Sequence, residues 1–243
     1  MRKCSVFILI LSIMTCWSCS TNIEYLADDM TDTMEIDTME IDLTRSILSL
    51  GDSYTIGQSV CDTCRFPEQL KRALGNVTDY TIDLNVIAQT GWTTSDLINA
   101  IDNQTLESDY DLVTLLIGVN NQFQNVPFSI YESEFPELVQ TAITAANGNK
   151  DRIIIVSIPD YAYTVFGQNF GNPEETSQEI DMYNAFAENY ALQEAITFVN
   201  ITDITRLGLE QPSLVASDGL HPSELAYSKF VERLLPFAIQ KLQ

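Results

Sequence analysis

Between positions 46 and 201, short apolar runs alternate with longer stretches of mixed polarity. Ile47–Leu50, Tyr80–Ala88, Leu112–Ile117, Arg152–Ile158 and Thr197–Ile201 read as five strands. Two are nearly unbroken, Leu112-Val113-Thr114-Leu115-Leu116-Ile117 and Ile153-Ile154-Ile155-Val156. Such runs suit strands covered on both faces of a parallel sheet. The segments between them carry helical periodicity. Phe135, Leu138, Val139, Ala142, Ile143 and Ala146 fall on one stripe, and Ile180, Tyr183, Phe186, Ala187 and Tyr190 on another. A last helix is expected from Pro222, a favoured first-turn residue, with Leu225, Phe230, Leu234, Phe237 and Ile239 as its apolar positions. Pro236 is expected to kink or break it.

This alternation predicts an α/β fold, a three-layer α/β/α sandwich with right-handed crossovers. Five strands fit a flavodoxin-like parallel sheet of order 2-1-3-4-5. Such a sheet gathers the carboxyl ends of its strands at one edge, where ligands bind. The loops delivered there are Gly51-Asp52-Ser53-Tyr54, Gln89-Thr90-Gly91-Trp92, Gly118-Val119-Asn120-Asn121 and Pro159-Asp160-Tyr161. Later in the chain comes Ser217-Asp218-Gly219-Leu220-His221-Pro222. Taken singly, each of these segments is also ordinary turn chemistry.

Together they allow nucleophilic catalysis. A serine at a strand end becomes a nucleophile when a base reaches it. Neutral imidazole suits that task near pH 7, and His221 is the single histidine of the chain. Asp218, three residues earlier, can reach back to the other ring nitrogen, fixing the tautomer and stabilising the imidazolium. The oxyanion that develops needs donors. The backbone N–H groups of Ser53 and Gly91 and the side-chain amide of Asn120 are the three expected here.

In these segments the chain resembles the SGNH (GDSL) hydrolase family over roughly residues 46–243. The first block is Gly51-Asp52-Ser53-Tyr54, with Tyr where Leu is more usual. The third is Gly118-Val119-Asn120, and the last is Asp218-Gly219-Leu220-His221. The serine, glycine, asparagine and histidine of the family name would be Ser53, Gly91, Asn120 and His221. The resemblance implies a GDSL-type esterase or lipase, a carboxylic ester hydrolase working through an acyl-enzyme without metal or organic cofactor. Acetylated glycans, short-chain acyl esters and lysophospholipids are the substrate classes it leaves open. A Gly-x-Ser-x-Gly elbow is absent, since Tyr54 and Thr55 follow Ser53, which sets aside the α/β-hydrolase arrangement. The alternative from another class is a non-catalytic glycan- or lipid-binding envelope lipoprotein on the same fold. An intact Ser53, Asp218 and His221 set argues against it.

Composition narrows the setting. The 243 residues include 34 acidic and 12 basic ones, for a formal charge of -22. So acidic a chain is repelled by phosphate backbones and anionic lipids, which excludes nucleic acid as a partner. The chain starts Met1-Arg2-Lys3, and Val6 to Met14 is nearly all apolar, as in a signal peptide. Cys16 and Cys19 follow; Cys19, after Ser18, is the preferred lipidation site of a lipobox-like end at residues 1–19. Residues 20–45 form an acidic, repetitive linker, and 46–243 the hydrolase domain. The expected location is therefore the bacterial cell envelope, with a lipid anchor as the sole membrane contact, or the secreted fraction. Cys61 and Cys64 lie in the loop after the serine. An exported protein makes a small disulfide there plausible, with two idle thiols as the alternative.

Overall fold

The computed structural model describes residues 43–243. The expected signal segment, Cys19 with its alternative Cys16, and nearly all of the expected linker lie outside the described residues. In chain order the elements are β1 (Thr44–Gly51), α1 (Ser53–Ile56), α2 (Phe66–Val77), β2 (Thr81–Ala88), α3 (Thr94–Asp102), β3 (Leu112–Leu116), α4 (Val119–Phe123) and α5 (Phe128–Ala145). They continue with β4 (Ile153–Val156), α6 (Val165–Gln168), α7 (Pro173–Gln193), β5 (Thr197–Val199), α8 (Thr202–Thr205) and α9 (Glu224–Leu242).

The five strands form one parallel sheet in the order β2-β1-β3-β4-β5. Helix α2 packs on α9 at one face, while α3, α5 and α7 adjoin one another at the other. The strands β3 and β4 are buried throughout, which is why their sequences are unbroken apolar runs. Polar residues inside the sheet are paired: Thr114 donates its hydroxyl to Ser49 Oγ at 2.9 Å. At the edge, β2 shows mixed exposure, as its polar–apolar alternation requires.

Several boundaries differ from the sequence expectation for definable reasons. Strand β1 starts at Thr44, two residues before the expected domain boundary, because Thr44 and Arg45 pair with Thr81 and Ile82. The Arg45 guanidinium lies 4.4 Å from the centre of the Tyr80 ring. Strand β4 stops at Val156 rather than Ile158. Ile158 gives its N–H to Asn184 Oδ1 at 2.8 Å, and its carbonyl accepts from Asn184 Nδ2 at 3.1 Å. Strand β5 stops at Val199 because the Ile201 N–H goes to Ser157 Oγ at 2.8 Å. Side chains thus replace the ladder at both strand ends.

The last helix does not begin at Pro222. Pro222 bridges Val215 in an extended segment, and Ser223 caps the helix by accepting the Ala226 N–H at 3.3 Å. Nor does Pro236 break α9, which runs through it to Leu242. Pro236 and Glu232 both face solvent, so water can take the Glu232 carbonyl that the proline leaves unpaired. The buried stripe of α9 is Ala226, Tyr227, Phe230, Val231, Leu234, Ala238 and Leu242, while Leu225 and Phe237 are exposed.

Candidate active site

The carboxyl ends of β1, β2 and β3 open onto a cavity of about 170 Å³. Ser53, Tyr54, Thr90, Gly91, Asn120 and His221 border it, with Val119, Phe123, Tyr161 and Leu220 as further apolar or aromatic walls. All residues expected to carry the chemistry meet here except Asp218, which stands behind the histidine.

Gly51 ends β1 because nothing larger fits: a side chain there would run into Thr55 and the Leu116 carbonyl. Asp52 then caps α1, accepting the Tyr54 N–H on Oδ1 at 2.9 Å. Ser53 is therefore the first helical residue, and its N–H has no intrahelical acceptor. The serine is 3% exposed, enough to open onto the cavity. Among the described residues no group hydrogen-bonds Ser53 Oγ. Unliganded sites often hold nucleophile and base in looser contact than the reacting complex does.

The Asp52 carboxyl is wholly buried, and its Oδ2 makes no close hydrogen bond among the described residues. Burial pushes this carboxyl up to about 7, against the pull of the Tyr54 N–H, its own N–H and the Asn120 amide.

The expected acid–base pair, Asp218 and His221, sits on a tight turn. Gly219 adopts φ +74, a left-handed conformation that disfavours side chains. The turn closes with the Ala216 N–H on the His221 carbonyl at 2.7 Å. Asp218 Oδ1 accepts the Leu220 and His221 N–H groups at 2.9 and 3.0 Å. Asp218 Oδ2 lies 2.7 Å from His221 Nδ1. Partial burial opposes ionisation of Asp218, but hydrogen bonds from Ser59, His221 and the two backbone groups outweigh it and hold the carboxyl at about 2. An ionised carboxylate only accepts, so in the neutral ring the proton belongs on Nδ1, facing Asp218, and Nε2 is the basic nitrogen. The Tyr54 ring packs on the imidazole, with centroids 5.1 Å apart. A tyrosine thus supplies the apolar wall after the serine, where the resembled pattern has leucine.

On the opposite wall, Gly91 has φ +88 and open space where a side chain would start. Backbone conformation and access, rather than crowding, call for glycine here. Its N–H donates to no acceptor among the described residues, while its carbonyl accepts from Gln124 Nε2 at 2.7 Å. Asn120 donates from Nδ2 to the Trp92 carbonyl at 3.0 Å, and the same amide pulls on the Asp52 carboxyl. Asn120 and Gln124, at the two ends of α4, therefore tie down the turn that carries Gly91. Sites of this kind stabilise charge because their donors are fixed before it develops.

Cys61 and Cys64 form a disulfide in the loop after α1. Of the loop aromatics, Tyr54, Phe123 and Tyr161 line the cavity. Trp92 packs against the core instead, and Tyr163 lies at the surface. Two groups escaped the sequence reading. Asp52 had a signal, since an Asp before a short helical start is a cap. Ser59, which donates to Asp218 Oδ2 at 2.6 Å, had none: it lies 159 residues from its partner in the chain.

Solved structures share this architecture. The lipase/acylhydrolase from Enterococcus faecalis is 19% identical, with a TM-score of 0.64 over 82% of this chain and 97% of that one. The Clostridium thermocellum family 3 carbohydrate esterase is 20% identical, with a TM-score of 0.63 over 82% and 97%. An acetyl xylan esterase from Geobacillus stearothermophilus is 18% identical, with a TM-score of 0.61 over 80% and 94%. At such identities the likeness establishes the fold. No curated protein sequence matches the chain. Residues 49–229, from the serine strand through the aspartate–histidine turn into α9, match the sequence model of the GDSL-like lipase/acylhydrolase family, and the chain belongs to that family.

Proposed function

We propose that this hydrolase is a serine esterase for short acyl groups, with Ser53 as nucleophile, His221 as base and Asp218 as the group that orients and charge-balances it. The observation that carries the reading is the ionised Asp218 held on His221 Nδ1, with His221 and Ser53 bordering one cavity. In the first half-reaction, His221 Nε2 takes the proton of Ser53 Oγ as the oxygen attacks the ester carbonyl. The oxyanion meets the Ser53 and Gly91 N–H groups, with the Asn120 side-chain amide at the same wall as the third donor. Collapse expels the alcohol, which takes the proton back from the imidazolium. Water then repeats the sequence on the acyl-enzyme and releases the acid.

The cavity supports a choice among the substrate classes. Its volume, about 170 Å³, is modest, and its walls are mainly apolar or aromatic. It suits acyl groups of two to four carbons, as in acetylated glycans or short-chain esters, better than a fatty acyl chain. The carbohydrate and acetyl xylan esterases that share the fold lend weight to the glycan option. The basic start, apolar run and cysteines of the first 19 residues support export and lipid anchoring at Cys19, followed by an acidic tether. On p-nitrophenyl esters from acetyl to palmitoyl, kcat/KM is expected to peak between acetyl and butyryl and to drop at least about tenfold by palmitoyl. A profile rising toward palmitoyl would refute the short-acyl assignment, and no hydrolysis of any member would refute the esterase.

A further inference from the structure

The loop that follows Ser53 returns to the site from behind. Helix α1 ends at Gly57, which has φ +79, and the Gln58 N–H bonds the Ser53 carbonyl at 3.0 Å. Ser59 comes next in a left-handed conformation, φ +68, which is unusual for a serine and disfavours a side chain. That conformation places its hydroxyl 2.6 Å from Asp218 Oδ2, the oxygen that also faces His221 Nδ1. The loop is held beyond this point by the Cys61–Cys64 disulfide, and Gln69 Nε2 donates to the Cys64 carbonyl. A strained, exposed serine on the nucleophile loop is thus aimed at the carboxylate on the acid–base loop.

We propose that Ser59 is a positioning residue of the acyl-transfer site: its hydroxyl fixes Asp218 Oδ2 against His221 Nδ1 and draws off part of the carboxylate charge. This rests on the reading of Ser53, Asp218 and His221 as the reacting set. Asp218 Oδ2 divides its charge between two donors. With Ser59 present, the imidazolium receives less of it, and His221 returns more readily to the neutral base. Without the hydroxyl, the carboxylate acts on Nδ1–H alone, and the protonated ring is favoured.

The other titratable groups around the pair are Tyr54, Tyr161 and Tyr227, whose phenols burial pushes up, and the carboxyls Asp52 and Asp160. Asp160 is bound by Arg206 at 2.9 Å, and none of the five hydrogen-bonds Asp218 or His221.

The test uses Ser59→Gly. Glycine accepts the left-handed backbone without strain, which offsets part of the lost bond to Asp218, and a merely structural serine predicts unchanged kinetics and an unmoved acid limb in the folded variant. The expected result is a Tm close to the parent's and a kcat lowered about tenfold at neutral pH with KM held. The acid limb of the kcat/KM profile should move up by about half a pH unit. Ser59→Ala should show the same upward limb with a lower Tm. An acid limb that stays at the parent pH or moves down in Ser59→Gly would overturn the proposal, whatever the rate. Ser53→Ala, assayed alongside, separates the two claims: full activity in that variant would sink the reacting set itself, whereas an inactive Ser53→Ala with an unmoved Ser59→Gly limb would sink only the role of Ser59.

Discussion

His221→Ala is expected to lower kcat on p-nitrophenyl acetate by roughly four to six orders of magnitude, and Ser53→Ala and the double variant by the same amount. The size follows from the role. A serine hydroxyl is a weak nucleophile until its proton is removed during attack, and His221 is the chain's single imidazole. No other side chain at the cavity is a neutral base near pH 7. Asp52 is the one carboxyl buried beneath the serine, and its Oδ1 is committed to the Tyr54 N–H. The losses do not add, because either substitution stops the same proton transfer. Residual turnover would come from binding and the oxyanion donors. Initial rates of the three proteins, each checked for native circular dichroism, settle the point. A His221→Ala protein retaining more than a tenth of parental kcat would contradict the assignment.

Asp218→Asn is expected to reduce kcat by roughly 10⁴ with KM changed less than about threefold. The reason lies in what surrounds the carboxylate. Oδ1 receives two backbone N–H groups, and Oδ2 receives Ser59 and His221 Nδ1. An asparagine brings one oxygen and one NH₂ to these positions. Turned one way, the NH₂ meets Nδ1, forces the ring proton onto Nε2 and disables the base. Turned the other way, it meets two N–H donors with nothing to accept. The first orientation keeps every donor paired, because Ser59 Oγ can accept the second NH₂ hydrogen, so the variant can stay folded while losing its base; the second strands donors at a partly exposed site and costs stability. The stability effect is read separately by thermal unfolding. Equal kcat in Asp218→Asn and parent would show that the carboxylate charge plays no part.

The pH dependence of stability points the same way. The folded-state pKa of Asp218 is depressed to about 2 from an ordinary value near 3.8. Its contribution is therefore complete above about pH 4 and is lost as pH falls through about 2.

Much of this arrangement was legible in the chain. Unbroken apolar runs at 112–117 and 153–156 identify strands covered on both faces, and glycine or polar residues at their ends mark the edge where a site can form. The sheet order followed from strand–helix alternation, and Ser53, Gly91, Asn120 and His221 do border one cavity. What was hidden depends on partners far apart in sequence. The ends of β4 and β5 are set by Asn184 and Ser157, whose side chains take over the backbone groups. The start of α9 is set by Ser223 because Pro222 is engaged with Val215. The continuity of α9 at Pro236 depends on that turn facing water. In the sequence Ser59 is one polar residue of a loop; its direction toward Asp218 comes from a left-handed backbone angle that no spacing encodes.

The central claim is that Ser53 Oγ forms the covalent bond to the acyl carbon. It is tested most directly by treating the protein with a fluorophosphonate ester, from which an activated serine displaces fluoride, and measuring intact mass followed by peptide mapping. The account predicts one phosphonyl group per chain, located on Ser53, with none on Ser53→Ala and labelling slowed at least about a thousandfold in His221→Ala. Equal labelling of parent and Ser53→Ala, or an adduct mapped to any other residue, would contradict it.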